Sequence, residues 1–213
     1  PVIDALLHSA EADDELLEGL IRSSGKPEEN EAAPALFLKT DSWHLPHLDR
    51  IRRVFPSTPC YFLYRDPAAI LRSHHRERGS QMVPEFVDPW RFDIDPASVD
   101  FANPDAYAER VLAAIFRQAV VTAENGKVIP IAYSQLPDLM WDRLAHDLGL
   151  GNTVWDAAKE RAKLHSKDPY RPLEDPAVAR PTMVTNTALL ADFRRLEELR
   201  VQTFGLGREQ VPP

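Results

Sequence analysis

The stretch of sequence that decides the fold is CYFLYRDPAAILRS, residues 60–73. Its first five residues form an apolar run rich in aromatic side chains, which is typical of a buried β-strand. Asp66 and Pro67 follow almost at once, and Asp at the N-cap with Pro at the first helical position is a common start of an α-helix. The stretch therefore predicts a strand over residues 60–64 and a helix over residues 67–77.

The same alternation of strand and helix extends on both sides of this stretch. Apolar runs predict two further strands, near residues 35–39 and 128–132. Apolar residues at helical spacing predict helices within residues 2–21 (two short ones), 48–54, 104–120, 134–148, 154–164 and 185–204. Strands that alternate with helices indicate an α/β fold, in which a parallel sheet is flanked by helices.

Composition narrows the class of protein. The 213 residues are 44% hydrophobic and 27% charged, as in an ordinary globular protein, and favour a single domain over residues 1–213. A net charge of −8 argues against a nucleic-acid partner, since proteins that coat nucleic acids are basic. The single Cys60 excludes an internal disulfide and a multi-cysteine zinc site. With no apolar run near the ~20 residues that cross a membrane, and no signal peptide, we expect a cytoplasmic protein without a membrane partner.

Positive charge is concentrated around the junction between strand and helix. Residues 50–78, the basic segment, contain seven arginines and two acidic residues, a net charge of +5 in a chain of −8. Arg65 directly follows the strand, where a helix N-terminus attracts anions. Ser73 lies seven residues beyond Asp66, about 700° around the helix, and so returns to nearly the same face. These features favour a small polyanionic ligand, and the alternative is a solvated helix face with ion pairs.

Three segments resemble the P-loop sulfotransferases. Residues 60–73 look like the family's 3′-phosphate-binding segment, in which an apolar strand ends in Arg-Asn/Asp-Pro and a serine follows eight residues after the arginine. Residues 34–41, PALFLKTD, are similar to the strand that ends in Lys-Thr/Ser-His. Residues 131–136, IAYSQL, resemble the Tyr-Glu-Asp-Leu segment, and the helix after them ends in Leu-Gly-Leu at 148–150, as in the family.

The resemblance implies a sulfotransferase-like P-loop fold. It also implies transfer of a sulfuryl group from 3′-phosphoadenosine 5′-phosphosulfate, as co-substrate, to the hydroxyl or amine of a small-molecule acceptor. In this reading Arg65 and Ser73 bind the 3′-phosphate, and Tyr133 lies near the adenine.

The resemblance to the family is less complete for the catalytic residues than for the residues that bind the 3′-phosphate and the adenine. Asp41 stands where the best-known enzymes have a histidine base, so Asp41 and His44 are the candidate bases, with Lys39 as a candidate cation for the sulfuryl group. No phosphosulfate loop of the form Gly-x-x-x-x-Gly-Lys-Ser/Thr occurs, and residues 170–180 contain no glycine that could match the family's Arg-Lys-Gly-x-x-Gly motif. Because the chain starts at Pro1, without methionine and inside an apolar-periodic segment, we expect a domain that is incomplete at its N-terminus and lacks the first strand.

Two other hypotheses fit parts of the sequence. A chain without the phosphosulfate loop could be a non-catalytic module that keeps the 3′-phosphate half of the site and binds a nucleotide or a partner protein. Residues 47–49, HLD, match the His-x-Asp pair of non-haem iron oxygenases, with His146 or His165 as a third ligand. Such pairs usually lie in β-barrels, whereas this chain has the pattern of an α/β protein.

One long segment has little periodicity. Residues 79–103 contain Phe86, Trp90 and Phe92 among prolines. Ordered loops of this length in compact domains usually carry function. We therefore expect this segment to lie over the cleft at the strand ends and to form the acceptor pocket.

Overall fold

The computed structural model describes residues 2–9, 13–25, 36–136, 138–145, 155–164 and 183–205. Within these ranges the protein is mixed α/β and mostly helical. Its strands, β1 (Tyr61–Tyr64) and β2 (Ile129–Ala132), form a parallel pair in which Tyr61 faces Ile129 and Tyr64 faces Ala132. The helices are α1 (Val2–His8), α2 (Asp14–Ser24), α3 (Leu48–Val54), α4 (Pro67–Arg76), α5 (Pro104–Glu124), α6 (Trp155–Ala162) and α7 (Thr187–Phe204).

The helix that follows β1 begins as the sequence predicts. The carboxylate of Asp66 accepts a hydrogen bond of 2.8 Å from the backbone nitrogen of Ala69, and Pro67 occupies the first turn. The same arrangement starts α5, where the side chain of Asn103 accepts from the backbone nitrogen of Ala106. The predicted strand and helix over residues 60–77 are confirmed to within one residue at each end.

The strand predicted near residues 35–39 is wrong for the part that the structure describes. Residues 36–40 have no regular secondary structure and are exposed, with Phe37 61% accessible. A strand forms only where a neighbouring strand satisfies its backbone donors and acceptors. An apolar run such as this one predicts burial and says nothing about whether that neighbour exists.

α5 forms the centre of the main hydrophobic core. Phe62 and Tyr64 point from β1 toward it, and both rings meet Phe116 of α5 edge-on at 6.4 Å between centroids. Phe193 of α7 meets Tyr64 at 6.1 Å and Phe116 at 6.3 Å, so the three rings form a triangle. Leu63 lies between the two aromatic residues of β1, points to the opposite face as strand geometry requires, and is 52% exposed.

The segment 79–103 is ordered by short 3-10 helices at Ser80–Met82, Pro89–Phe92 and Pro96–Ser98. Met82, Phe92 and Ile94 are buried in the main core, so the segment packs against the body of the protein. A smaller core joins α1 and α2 through Leu7, Leu17 and Ile21, and Ile51 and Val54 of α3 pack against it.

Several predictions concern residues outside the described ranges. These are residues 34–35, the end of the predicted helix at 146–150, residues 170–180, and the histidines 146 and 165. Where the helix after Ser134 was predicted to begin, the structure has a 3-10 turn (Tyr133–Gln135) followed by a π-helical segment (Met140–Leu144). None of the helices in the described ranges is long and apolar enough to cross a membrane.

Candidate functional site

The carboxyl edge of the sheet brings two of the predicted nucleotide-binding residues together. Arg65 directly follows β1 and Tyr133 directly follows β2, and the register that pairs Tyr64 with Ala132 places them side by side. The guanidinium carbon of Arg65 lies 5.1 Å from the centre of the Tyr133 ring, a cation–π contact. Arg65 is half-buried, whereas Tyr133 is 40% exposed, so part of its ring is open to a ligand.

Local hydrogen bonds hold the backbone at this edge. The backbone nitrogen of Ala132 donates to Oε1 of Gln135 at 2.9 Å, which fixes the turn that carries Tyr133. The Asp66 cap fixes the start of α4 immediately after Arg65. Ser73, the third predicted nucleotide-binding residue, lies exposed near the end of α4. The edge thus offers a cation, a helix N-terminus and an aromatic face.

A buried polar network joins Tyr64, the residue before Arg65, to α7. The hydroxyl of Tyr64 donates a short hydrogen bond to Glu197 of α7, and Nη2 of Arg200 donates to the other oxygen of that carboxylate at 2.6 Å. Glu197 and Arg200 are 5% and 3% exposed. Burial, the hydrogen bond to Glu197 and its negative charge all raise the pKa of Tyr64. The network ties the last residue of β1 to α7, and so fixes the direction in which Arg65 leaves the strand.

The predicted catalytic residues do not belong to the sheet: two lie in an irregular segment and one lies in a 3-10 helix. Lys39 and Asp41 are exposed in the irregular segment 36–41, so Lys39 is not at the end of a strand. Asp41 precedes the 3-10 helix Ser42–His47, and its backbone nitrogen donates to Nδ1 of His44 at 3.1 Å. Nε2 of His44 lies 2.8 Å from Oδ1 of Asp4, to which it donates. Both nitrogens of this buried ring are therefore engaged, and His44 could serve as a base only after one of these bonds is broken.

Asp4 is the centre of a polar cluster that the sequence did not reveal. Its carboxylate accepts from His44, from Nε1 of Trp43 at 3.2 Å and from Nη1 of Arg91 at 2.9 Å, and His8 and His47 lie beside it. We call these six residues the Asp4 cluster. Burial alone would raise the pKa of Asp4, but hydrogen bonds from His44, Arg91 and Trp43 and the charge of Arg91 outweigh it and lower the pKa to about 2.

A cavity of about 620 Å³ lies against the Asp4 cluster, between the 3-10 helix, the 88–93 segment and α5. Trp43, Trp90 and Phe92 give it aromatic walls, and Arg91 and Arg117 are balanced by two aspartates on its lining. Trp90 and Phe92 line this cavity, but Arg65, Ser73 and Tyr133 do not. The expectation that the 79–103 segment lies over the cleft at the strand ends and forms the acceptor pocket there therefore stays a prediction. Phe86 does not line the cavity and is 72% exposed.

The geometry around residues 47–49 does not support the hypothesis of an iron site. Asp49 forms an ion pair of 2.6 Å with Lys127, whereas Nε2 of His47 contacts Nε2 of His8 at 3.1 Å. Over the part of the chain that the structure describes, no group of three or more His, Cys, Asp or Glu side chains is placed to hold a metal ion.

Most arginines of the basic segment have structural partners. Arg50 and Arg53 both pair with Asp14, and Arg78 pairs with Asp105. Arg52 donates to the backbone carbonyl of Lys127 at 3.1 Å. Three of these arginines therefore form ion pairs and the fourth donates to a backbone carbonyl, and all four contacts join distant parts of the chain. They are not the i,i+4 pairs of a solvated helix face that the alternative interpretation predicted. The argument for an anion site depends on the position of Arg65, which directly follows β1 beside Tyr133 and the start of α4.

Comparison of the chain with family models, with curated proteins and with solved structures gave no match. Any assignment of function thus depends on the residues and contacts described above.

Proposed function

We propose that this protein binds 3′-phosphoadenosine 5′-phosphosulfate at the carboxyl edge of its sheet and transfers the sulfuryl group to the hydroxyl or amine of a small-molecule acceptor. The observation that carries the proposal is the contact between Arg65 and Tyr133, two residues 68 positions apart that the resemblance assigns to the same nucleotide. A guanidinium beside a helix N-terminus suits a phosphate, and an exposed aromatic face suits a base.

We assign the 3′-phosphate half of this co-substrate to Arg65, Ser73 and Tyr133. The guanidinium of Arg65 would hold two phosphate oxygens, the hydroxyl of Ser73 would donate to a third, and the ring of Tyr133 would stack on the adenine. The bound co-substrate supplies an activated sulfuryl group. When the acceptor oxygen or nitrogen bonds to sulfur and the bridging S–O bond breaks, the carboxylate of Asp41 takes the acceptor proton and Lys39 offsets negative charge on the departing oxygen.

Titration calorimetry tests the nucleotide site directly. Arg65→Ala should weaken binding of 3′-phosphoadenosine 5′-phosphate by about 1.5–3 kcal/mol, the range for a hydrogen bond to a charged group. Adenosine 5′-phosphate lacks the 3′ group and should bind weakly, with little difference between the two proteins. Arg76→Ala is the matched control, since it removes the same charge from the exposed end of α4. Equal affinity of the wild type and Arg65→Ala for the bisphosphate would refute the assignment.

A second candidate function is a non-catalytic nucleotide-binding module. The observation in its favour is that His44 is fully engaged by Asp4 and Asp41, while Lys39 lies off the sheet. The two functions differ in one measurement, the release of bisphosphate from the phosphosulfate in the presence of phenol, alcohol and amine acceptors. Turnover favours the enzyme, whereas tight binding without turnover favours the module.

A further inference from the structure

The cavity between the 3-10 helix Ser42–His47, the 88–93 segment and α5 is separate from the proposed nucleotide site. Its volume of about 620 Å³ lies in the range of small-molecule sites, which combine apolar or aromatic walls with a few polar groups. The proposed function uses none of the residues on this lining. A ligand of this cavity must therefore be inferred from the lining itself.

Three aromatic side chains form walls of the cavity. Phe92 belongs to the main core and is 4% exposed, and the half-buried Trp43 is held by the hydrogen bond from its indole nitrogen to Asp4. Both rings are therefore fixed before a ligand binds. Trp90 is 62% exposed, and a ligand that covers it removes apolar surface from water. The faces of aromatic rings are negative and attract cations, tryptophan most strongly.

On the lining alone two arginines balance two aspartates, but each arginine also has an acidic neighbour outside the lining. Nη1 and Nη2 of Arg91 donate to the two oxygens of Asp4 at 2.9 and 3.3 Å. The charge of Arg117 acts on Asp192 of α7: burial raises the pKa of that carboxyl, and Arg117 opposes the rise. The positive charges of both arginines are therefore offset by carboxylates that do not line the cavity.

The two aspartates of the lining differ from the arginines. Within the described residues, neither Asp88 nor Asp93 forms an ion pair, and both are exposed. Oδ1 of Asp88 accepts from the backbone nitrogen of Trp90 at 3.0 Å, which holds the carboxylate at the cavity. Asp93 ends the 3-10 helix Pro89–Phe92 at φ 55°, in the left-handed region that Asp and Asn adopt more readily than most other non-glycine residues. The uncompensated charge on the lining is thus negative.

We propose that this cavity binds a small organic cation with a quaternary ammonium group, whose methyl groups pack on the aromatic walls while Asp88 and Asp93 offset its charge. A quaternary ammonium has no N–H to satisfy and an apolar surface, so aromatic walls can replace its water. A metal ion or a primary ammonium instead requires several oxygen acceptors, which aromatic walls do not provide. The inference goes beyond the proposed function and does not depend on it, because the nucleotide-binding residues do not line this cavity.

Titration with choline chloride, followed on the ¹H–¹⁵N signals of the tryptophan indoles, tests the site. The titration is made at constant ionic strength and at about pH 7.5, above the ordinary pKa of histidine. Choline should shift the signals of Trp43 and Trp90 until they saturate, whereas Trp141, which does not line the cavity, should keep its signal. 3,3-Dimethylbutan-1-ol, in which carbon replaces the charged nitrogen, should bind at least ~10-fold more weakly.

Two substitutions separate the aromatic contribution from the ionic one. Trp90→Leu should weaken choline binding by about two- to thirtyfold, the range for cation–π contacts from exposed to desolvated sites. Phe86→Leu is its control, at an exposed ring off the lining. Asp93→Asn keeps a residue that accepts the left-handed backbone and should weaken binding by about two- to fivefold, as for an exposed ion pair. Asp95→Asn is its control, since Asp95 caps the next 3-10 helix and does not line the cavity.

Four results would overturn the proposal: no saturable shift with choline, equal affinity for the neutral alcohol, unchanged affinity of either variant, or tighter binding of benzoate. Benzoate would assign the cavity to Arg91 and Arg117 instead. If Trp90→Leu does not fold, the comparison of choline with the alcohol on the wild-type protein decides. Failure of the proposed function is seen separately, because Arg65→Ala should bind choline as the wild type does.

Discussion

The sheet edge and the Asp4 cluster are assembled in different ways. Arg65 and Tyr133 meet because the register of two parallel strands places the residues that follow them side by side. Asp4 meets Trp43 and Arg91, 39 and 87 residues away, only because separate helices pack together. The first arrangement follows from short local signals, and the second depends on how whole elements dock.

The two regions also differ in whether their polar and aromatic groups are accessible to a ligand. In the Asp4 cluster, the carboxylate and both nitrogens of the buried His44 are occupied by protein partners. At the sheet edge, the ring of Tyr133 is 40% exposed beside a half-buried cation and a helix start. A saturated cluster holds elements together, whereas an aromatic face beside a cation can bind a ligand. We therefore expect substitutions in the cluster to affect stability, and substitutions at the edge to affect binding.

The largest effect should follow Asp41→Asn, which tests whether Asp41, next to the Asp4 cluster, acts as a catalytic base. If the protein transfers sulfuryl groups with Asp41 as the base, kcat should fall by about 10²–10⁴, the usual scale for a general base. Asparagine keeps the backbone bonds of this position to His44, so the midpoint of denaturation and the bisphosphate affinity should not change. Unchanged turnover in an active enzyme would move the role of the base away from Asp41.

The next largest effect should follow Glu197→Gln, which breaks the network behind the sheet edge. The substitution leaves Arg200 buried with its charge uncompensated, and breaking a buried pair in this way typically costs about 3–5 kcal/mol. Glu198→Gln is the matched control, since that carboxylate is 62% exposed beside Arg195 and should contribute only about 0–1 kcal/mol. Urea denaturation of both variants measures the difference. Similar losses would mean that the free energy of unfolding does not depend on the buried charge pair.

A smaller effect should follow Asp4→Asn, with a characteristic pH dependence. Because the folded pKa of Asp4 is about 2, below its ordinary value of 3.8, its stabilisation is fully present above pH 3.8 and is lost as pH falls through about 2. For a partly exposed carboxylate with three donors we expect a loss of about 1–2 kcal/mol at neutral pH. Denaturation curves should therefore separate wild type and variant at pH 6 and converge near pH 2. A constant difference over that range would show that the charge of Asp4 does not contribute.

The sequence predicted those parts of the molecule whose signals are local. Aromatic alternation followed by Asp66-Pro67 marks β1 and α4 to within a residue, and the position of Arg65 follows from it. The run at residues 36–38 has an equally apolar composition, but it is exposed, since a strand needs a partner that composition does not supply. Asp4 and His8 share one face of α1 at a spacing of four residues, a sign of a common partner. Nothing in the spacing indicates that Arg91 is that partner.

The smallest effect should follow substitution of Tyr133. It tests whether the contact between Tyr133 and Arg65 contributes to binding of the nucleotide. The ring holds the guanidinium of Arg65 at 5.1 Å, and a cation–π contact at such an exposed site is worth about 0.5–1 kcal/mol. In Tyr133→Leu, poorer placement of Arg65 should by itself weaken binding of 3′-phosphoadenosine 5′-phosphate by about two- to fivefold, and loss of the ring that we propose to stack on the adenine should add to this. Tyr133→Phe keeps the ring and should bind as the wild type does. Both affinities come from the same calorimetric titration as Arg65→Ala. If the two variants weaken binding equally, the tyrosine acts through its hydroxyl, and the comparison between an open aromatic face and a saturated cluster fails at this residue.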